Sequence, residues 1–127
     1  MKAIIKTLIL LFTVAVCHAQ EKKVLDVAAF EKAVQSGKIQ LLDVRTPDEY
    51  KSGYIKGATN ADWNNQPVFL AAAAKLNKNQ PVYVYCLSGV RSGKAADWMT
   101  ANGFKEVINL DGGIKAWNAA GKKLETK

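Results

Sequence analysis

The chain predicts an α/β fold: an open parallel sheet with helices on both faces. Three observations lead there. Short apolar runs, Ile39–Val44, Val82–Tyr85 and Val107–Leu110, are long enough for buried strands and too short for helices. Segments of helical period separate them, and strands joined through helices pair in parallel, with the helices covering the sheet. The length of 127 residues, 49% hydrophobic and 23% charged, suits one domain with a packed core and argues against disorder or a disulfide scaffold.

The elements follow in order. After Val24-Leu25, Asp26 is placed to cap a helix whose Val27, Phe30 and Val34 share one face, and Gly37 closes it. The strand Ile39–Val44 comes next. Thr46-Pro47-Asp48-Glu49 is a capping box with proline at the first helical position, opening a short helix that Gly53 ends. Tyr54–Trp63 reads as a loop or short extended stretch, and Pro67 starts a helix running through the alanines to Leu76. Val82-Tyr83-Val84-Tyr85 is the clearest strand, β-branched and aromatic throughout. Leu87–Arg91 reads as a tight loop, followed by a helix from about Ser92 to Asn102 that buries Ala95, Ala96, Trp98 and Met99 and stops at Gly103. Val107–Leu110 is a further strand. Asp111-Gly112-Gly113 is a turn, and Ile114–Ala120 a last helix with Trp117 inward.

The first 19 residues read as a secretory signal peptide, with the domain occupying 20–127. Lys2 and Lys6 form a basic start, Thr7–Val16 an apolar stretch, and Cys17-His18-Ala19 ends on a small residue suited to signal peptidase. A span of about ten apolar residues falls short of the roughly 20 needed to cross a bilayer, so no stable membrane insertion is expected. A buried core helix fits less well, given the extreme N-terminal position and the polar Gln20-Glu21-Lys22-Lys23 that follows. Lipidation of Cys17 also fits less well, because Val16 stands where that signal prefers Gly, Ala or Ser. The expected location is periplasmic or secreted.

Cleavage would remove the one histidine, His18, and leave Cys86 as the remaining cysteine. Serine triads, Cys-His dyads, histidine metal sites and imidazole base catalysis then drop out together. No cofactor and no metal are expected. The formal net charge of +7 comes from lysines scattered in ones and twos, which gives no local support for nucleic-acid binding but helps attract a small anion.

Cys86 follows a strand directly and precedes a helix. Ligands of parallel sheets bind beyond such strand ends. If Leu87–Ser92 curls around the sulfur, backbone N–H groups and the positive helix end favour a thiolate or bound anion without any imidazole. Arg91 adds a fixed charge, and Gly89 lets the loop turn tightly. An inert buried thiol is the plainer alternative, but Ser88-Gly89-Val90-Arg91-Ser92 makes a poor setting for one. Two near-motifs are rejected. Gly89–Lys94 is one residue short of a phosphate-binding loop and has Ala95 where Ser or Thr would hold magnesium. Gly112-Gly113 lacks the further glycine and downstream acid of a dinucleotide site.

Four stretches, in order, carry a resemblance covering nearly the whole mature chain: Leu42-Asp43-Val44-Arg45 with Thr46-Pro47-Asp48-Glu49-Tyr50; Gly53-Tyr54-Ile55-Lys56-Gly57-Ala58; Cys86-Leu87-Ser88-Gly89-Val90-Arg91-Ser92; and Asp111-Gly112-Gly113-Ile114-Lys115-Ala116-Trp117. Together they resemble the rhodanese (sulfurtransferase) domain family, and imply a rhodanese-like open parallel sheet. The resemblance implies that Cys86 takes sulfane sulfur from thiosulfate or a persulfide and passes it to a thiophilic acceptor, a thiol that could sit on a protein. It also implies that the N–H groups of 87–91 hold the persulfide, that Leu87, Ser88, Gly89, Val90, Arg91 and Ser92 form the substrate loop, and that Asp43 and Arg45 support it. Arg45 is expected to pair with Glu49 and brace the fold. Two departures stand out: Leu87 replaces a basic residue common in relatives, and Tyr54-Ile55-Lys56-Gly57-Ala58 replaces the usual His-Ile-Pro-Gly-Ala.

Two other functions remain open at this point. A cysteine phosphatase or arsenate reductase shares the cysteine loop, but with five residues between Cys and Arg rather than the four here. A sulfur-carrier or partner-binding module would keep Cys86 with little turnover.

Overall fold

The structure, a computed structural model, describes residues 21–126. The signal-peptide expectation, with Cys17 and His18, lies outside them. The elements are β1 (Glu21–Leu25), α1 (Val27–Gln35), β2 (Gln40–Asp43), α2 (Pro47–Ser52), β3 (Thr59–Asn60), α3 (Gln66–Ala74), β4 (Val82–Tyr85), α4 (Val90–Ala101), β5 (Glu106–Leu110) and α5 (Gly113–Ala119). The five strands form one sheet in the order β1-β5-β4-β2-β3, every neighbouring pair parallel. The predicted architecture is therefore the observed one.

Strand alternation divides the core in two. Leu42, Val82, Val84, Cys86 and Val107 face Phe69 and Ala73 of α3 and Ala95, Ala96 and Met99 of α4. Leu41, Tyr85, Ile108 and Leu110 face Phe30 of α1 and Ile114 and Trp117 of α5. Phe69 is wholly buried and meets Trp63 and Trp98 edge-to-face, with centroids 4.9 and 5.6 Å apart. Such pairs add about 0.5–1.5 kcal/mol each beyond burial alone. Trp98 is half-buried at the margin of this layer rather than inside it.

The caps are those the residue types dictate. Asp26 accepts the Ala29 N–H at 2.9 Å, and Thr46 and Glu49 close the capping box at the start of α2. Two boundaries move by two residues. The third helix ends at Ala74, because the N–H groups of Lys75 and Leu76 bond three residues back in a tightened last turn. The fourth begins at Val90, not Ser92. Gly89 adopts φ +105° and caps it, so the loop proper is only Cys86–Gly89 and Arg91 stands in the first helical turn.

This placement puts Cys86 at the carboxyl end of the central strand, between the ends of β2 and β5. The short loop gives the sulfur little room to leave the first turn of α4.

Candidate active site

Cys86 is a free thiol and almost fully buried. Its Sγ accepts the Gly89 N–H at 3.1 Å and the Ser92 hydroxyl at 3.2 Å. Burial pushes the thiol pKa up, but hydrogen bonds from the Ser92 hydroxyl and from the backbone N–H groups of Ser92, Gly89 and Ser88 outweigh it. The net shift is downward. Backbone donors thus reach the sulfur from Ser88, Gly89 and Ser92, and Ser92, expected as part of the substrate loop, adds its side-chain hydroxyl as a donor. The side chains of Leu87 and Val90 face solvent, 37% and 63% exposed, and rim the loop with apolar surface.

The loop is held from behind by the start of α5. The Ile114 N–H bonds the Cys86 carbonyl at 2.9 Å, and the Lys115 N–H bonds the Leu87 carbonyl at 3.1 Å. In a trans peptide, the carbonyl of one residue and the N–H of the next point opposite ways. Fixing the Leu87 carbonyl outward therefore turns the Ser88 N–H toward the sulfur. Close approach is possible because residue 113 is glycine. A Cβ there would lie 2.5 Å from the Leu87 oxygen and 2.6 Å from the Cys86 oxygen.

Arg91 is already paired with a carboxylate of the protein. Its Nη1 and Nη2 donate to both oxygens of Glu49, at 2.7 and 2.9 Å, the bidentate geometry that suits guanidinium and carboxylate. Glu49 was expected on Arg45, and that expectation is overturned. One carboxylate completes the capping box of α2 and clamps the first turn of α4, so it ties the two helix starts across the sheet end. The hydrogen bond from Arg91 holds the Glu49 carboxyl down to about 2, against a partial upward push from burial. A carboxylate therefore does stand beside the loop, but as an anion with both oxygens engaged.

The clamp gives a prediction with a defined sign. Because the folded-state pKa of Glu49 is depressed from 4.5 to about 2, its stabilisation is complete above 4.5 and disappears as pH falls toward 2. The pair is partly exposed, 22% for Arg91 and 30% for Glu49. Solvent screening then limits it to about 1–2 kcal/mol. Glu49→Gln should lower the unfolding free energy by that amount near neutral pH, and the gap to the unmodified protein should close through this acid window. Denaturant titrations at a series of pH values measure it; a gap independent of pH contradicts the assignment.

Asp43 and Arg45 pair with each other instead. Successive odd residues share a strand face, so both side chains point to the Tyr85 side. Arg45 donates through Nε and Nη2 to the Asp43 carboxylate at 2.6–3.1 Å, and through Nη2 to the Gly53 carbonyl at 2.7 Å. Asp43 is wholly buried and Arg45 nearly so. Tyr85 is buried above them, its hydroxyl accepting the Ile55 N–H at 2.9 Å, and burial raises its pKa well beyond the usual tyrosine value. The pair braces β2 against the chain entering and leaving α2, beside the strand that ends in Cys86. The partner of Arg45 is thus Asp43 and not the expected Glu49. Among the described residues, no group of three or more His, Cys, Asp or Glu side chains is placed to hold a metal ion.

A parallel sheet with helices on both faces, carrying an acidified cysteine in a short loop that caps a helix, defines the class of α/β cysteine-loop proteins. The comparisons narrow it. The Rhodanese-like domain family matches residues 26–120, and the chain belongs to that family. It is 40% identical over 90 residues to a protein named YqhL from Bacillus subtilis, covering 71% of this chain and 67% of that one. It is 32% identical over 98 residues to the thiosulfate sulfurtransferase GlpE of Shewanella oneidensis, covering 77% of this chain and 94% of that one. The crystal structure of a rhodanese-like domain protein from Staphylococcus aureus superposes with a TM-score of 0.69 at 34% identity, covering 83% of this chain and 98% of that one.

Proposed function

We propose that this protein is a sulfurtransferase that moves sulfane sulfur from thiosulfate or a persulfide donor to a thiophilic acceptor through a persulfide on Cys86. The observation that carries the reading is the Cys86 sulfur set among the donors of Gly89 and Ser92. The relatives named as thiosulfate sulfurtransferases support it. In the first step the Cys86 thiolate attacks the outer sulfur of the donor. A new S–S bond forms at Cys86 while the donor's own S–S bond breaks, and the leaving group, sulfite or a thiolate, departs with the bonding pair. In the second step an acceptor thiolate attacks the outer sulfur and Cys86 leaves as the thiolate. This is two-step covalent catalysis without change in the sum of oxidation states.

The loop residues 87–92 serve as the substrate cradle in this reading. Their N–H groups stabilise the anionic outer sulfur, as preorganised donors stabilise any developing charge. With Arg91 committed to Glu49 and Leu87 apolar, the mouth favours a donor of low charge over the thiosulfate dianion. The acceptor is a thiol, free or on a protein.

Intact-mass measurement tests the function. The purified protein should gain one sulfur atom on exposure to thiosulfate or a small persulfide and lose it on addition of cyanide, and Cys86→Ala should gain none. Failure to load from either donor, or loading that survives in Cys86→Ala, excludes the reading. The proposal extends to location: residues 1–19 direct export and are removed, leaving a periplasmic or secreted domain, and the same mass spectrum of protein from its native host should begin at Gln20.

A further inference from the structure

The strand next to the active loop carries a polar residue that neither the sheet nor the core requires. Asn109 lies on β5 between Ile108 and Leu110, and is 93% buried, with 7% of its surface exposed. Its Oδ1 is buried without a hydrogen-bond partner. Leaving an amide oxygen unpaired away from water is costly, and an apolar side chain would occupy a strand interior without that cost. Its Nδ2, in contrast, is engaged: it donates to the Gly89 carbonyl at 3.3 Å.

Gly89 is the residue whose N–H faces the Cys86 sulfur at 3.1 Å. It has no Cβ, sits at φ +105°, and as a glycine has the widest choice of backbone conformations. Nothing intrinsic to the residue keeps its N–H on the sulfur. Its carbonyl is held by two donors, the Gly93 N–H at 3.0 Å within α4 and Asn109 Nδ2 from the sheet. The first moves with the helix. The second ties Gly89 to the rigid strand that lies beside β4, from which Cys86 projects.

We infer that Asn109 is a positioning residue for the active loop, its amide fixing the Gly89 carbonyl and with it the Gly89–Val90 peptide, so that Gly89 keeps the place and conformation in which its N–H, on the other side of its Cα, meets the Cys86 sulfur and the persulfide formed there. The inference rests on the proposed role of Cys86 but not on any particular donor or acceptor. Asn109 touches no reacting atom; it acts through Gly89. Removing it releases the glycine, and the sulfur loses a donor for part of the time. The thiolate and the persulfide anion weaken together.

Asn109→Leu keeps the branching of the side chain and removes both the donor and the orphaned oxygen. It should leave the thermal unfolding midpoint equal to or above that of the unmodified protein, because the unpaired oxygen is gone. The same variant should raise the Cys86 thiolate titration midpoint, read from ultraviolet thiolate absorbance against Cys86→Ala as blank, and lower kcat for sulfur transfer about tenfold, the scale of one lost buried hydrogen bond. Asn109→Ala provides the second variant should Leu prevent folding, and it should show the same titration shift with some loss of stability. A purely structural Asn109 gives the opposite pattern: stability falls, while folded protein titrates and turns over as before. That pattern, or unchanged titration in both variants, overturns the inference. Thiolate titration requires no turnover, so it judges Asn109 even if no donor loads Cys86, which would instead count against the proposed function.

Discussion

Gly113→Ala should reduce sulfur transfer by about a hundredfold or more, the scale expected when a reacting group is displaced by roughly 1 Å. The added Cβ would fall 2.5 Å from the Leu87 carbonyl oxygen and 2.6 Å from that of Cys86, and both obstacles are backbone. Neither can rotate away. Relief requires the active loop to move off α5, which breaks the bonds from the Ile114 and Lys115 N–H groups and frees the peptides that aim N–H groups at the sulfur. Residue 113 also has φ +60°, so alanine is strained before any contact is counted, and the combined loss of stability should be about 2–4 kcal/mol. Gly112→Ala is the matched control. Its φ is +74° and its Cβ would meet the Ala116 methyl at 2.7 Å, with no atom of Cys86 or Leu87 among its nearest contacts. It should cost comparable stability with a much smaller effect on turnover. Comparison of kcat/KM with unfolding free energy for the two variants measures the difference. Near-normal transfer in Gly113→Ala, or equal losses in both, shows that the turn does not set the loop.

Local sequence rules locate the helices and the three central strands of this fold because each is decided locally, whereas the edge strands β1 and β3 carry no such local signal. Asp26, the Thr46–Glu49 box and the β-branched run Val82–Tyr85 each specify a cap or a strand within a few residues, and the structure uses them as such. Cys86 is legible for the same reason: a thiol directly after a strand and before a helix has one place to be. Pairings between distant residues are not legible in this way. Glu49 already has a complete local role in its capping box, so nothing in the sequence demands a second partner. Its clamp on Arg91 spans 42 positions. Arg45 has three carboxylates close by along the chain, Asp43, Asp48 and Glu49. The alternation of extended chain favours Asp43, because residues two apart at the end of β2 and just beyond it project to the same face while Glu49 lies beyond a change of direction at Thr46. Gly113 reads as a turn glycine, and its pressure against the Cys86 and Leu87 carbonyls exists only once β4 and β5 lie side by side. The Ser92 hydroxyl reaches the sulfur only because α4 begins at Val90, two residues earlier than the sequence suggests, so that Ser92 projects inward from the first turn.

The shared cysteine loop also makes a phosphatase the natural competitor, and the site argues against it on geometry and on protons. Four residues separate Cys86 from Arg91, Leu87-Ser88-Gly89-Val90, and within that short loop Gly89 N–H and Ser92 Oγ already close on the sulfur at 3.1 and 3.2 Å. One further sulfur atom bonded to Cys86 is a smaller guest than a phosphoryl group, which presents three oxygens that each need a donor. Each donor missing from a developing charge costs about 2.7–4 kcal/mol, a hundredfold or more in rate. The arginine that would bind those oxygens is held by Glu49 through both of its terminal nitrogens. Glu49 cannot serve as the acid for a departing alkoxide either, since at neutral pH it is ionised, with its pKa near 2. The unmodified protein should therefore show negligible hydrolysis of an aryl phosphate under conditions where it transfers sulfur. A glycine inserted between Ser88 and Gly89 widens the ring and shifts the Gly89 donor off the sulfur. Sulfur transfer should then fall by about a hundredfold, the effect of one misplaced donor, while any phosphatase activity that emerges should be weak and lost again on Cys86→Ala. Parallel assays of sulfur transfer and aryl phosphate hydrolysis on the unmodified, inserted and Cys86→Ala proteins decide the matter. Efficient phosphate hydrolysis through Cys86 in the unmodified protein, with no sulfur accepted from thiosulfate or a persulfide, would falsify both the size argument and the proposed reaction.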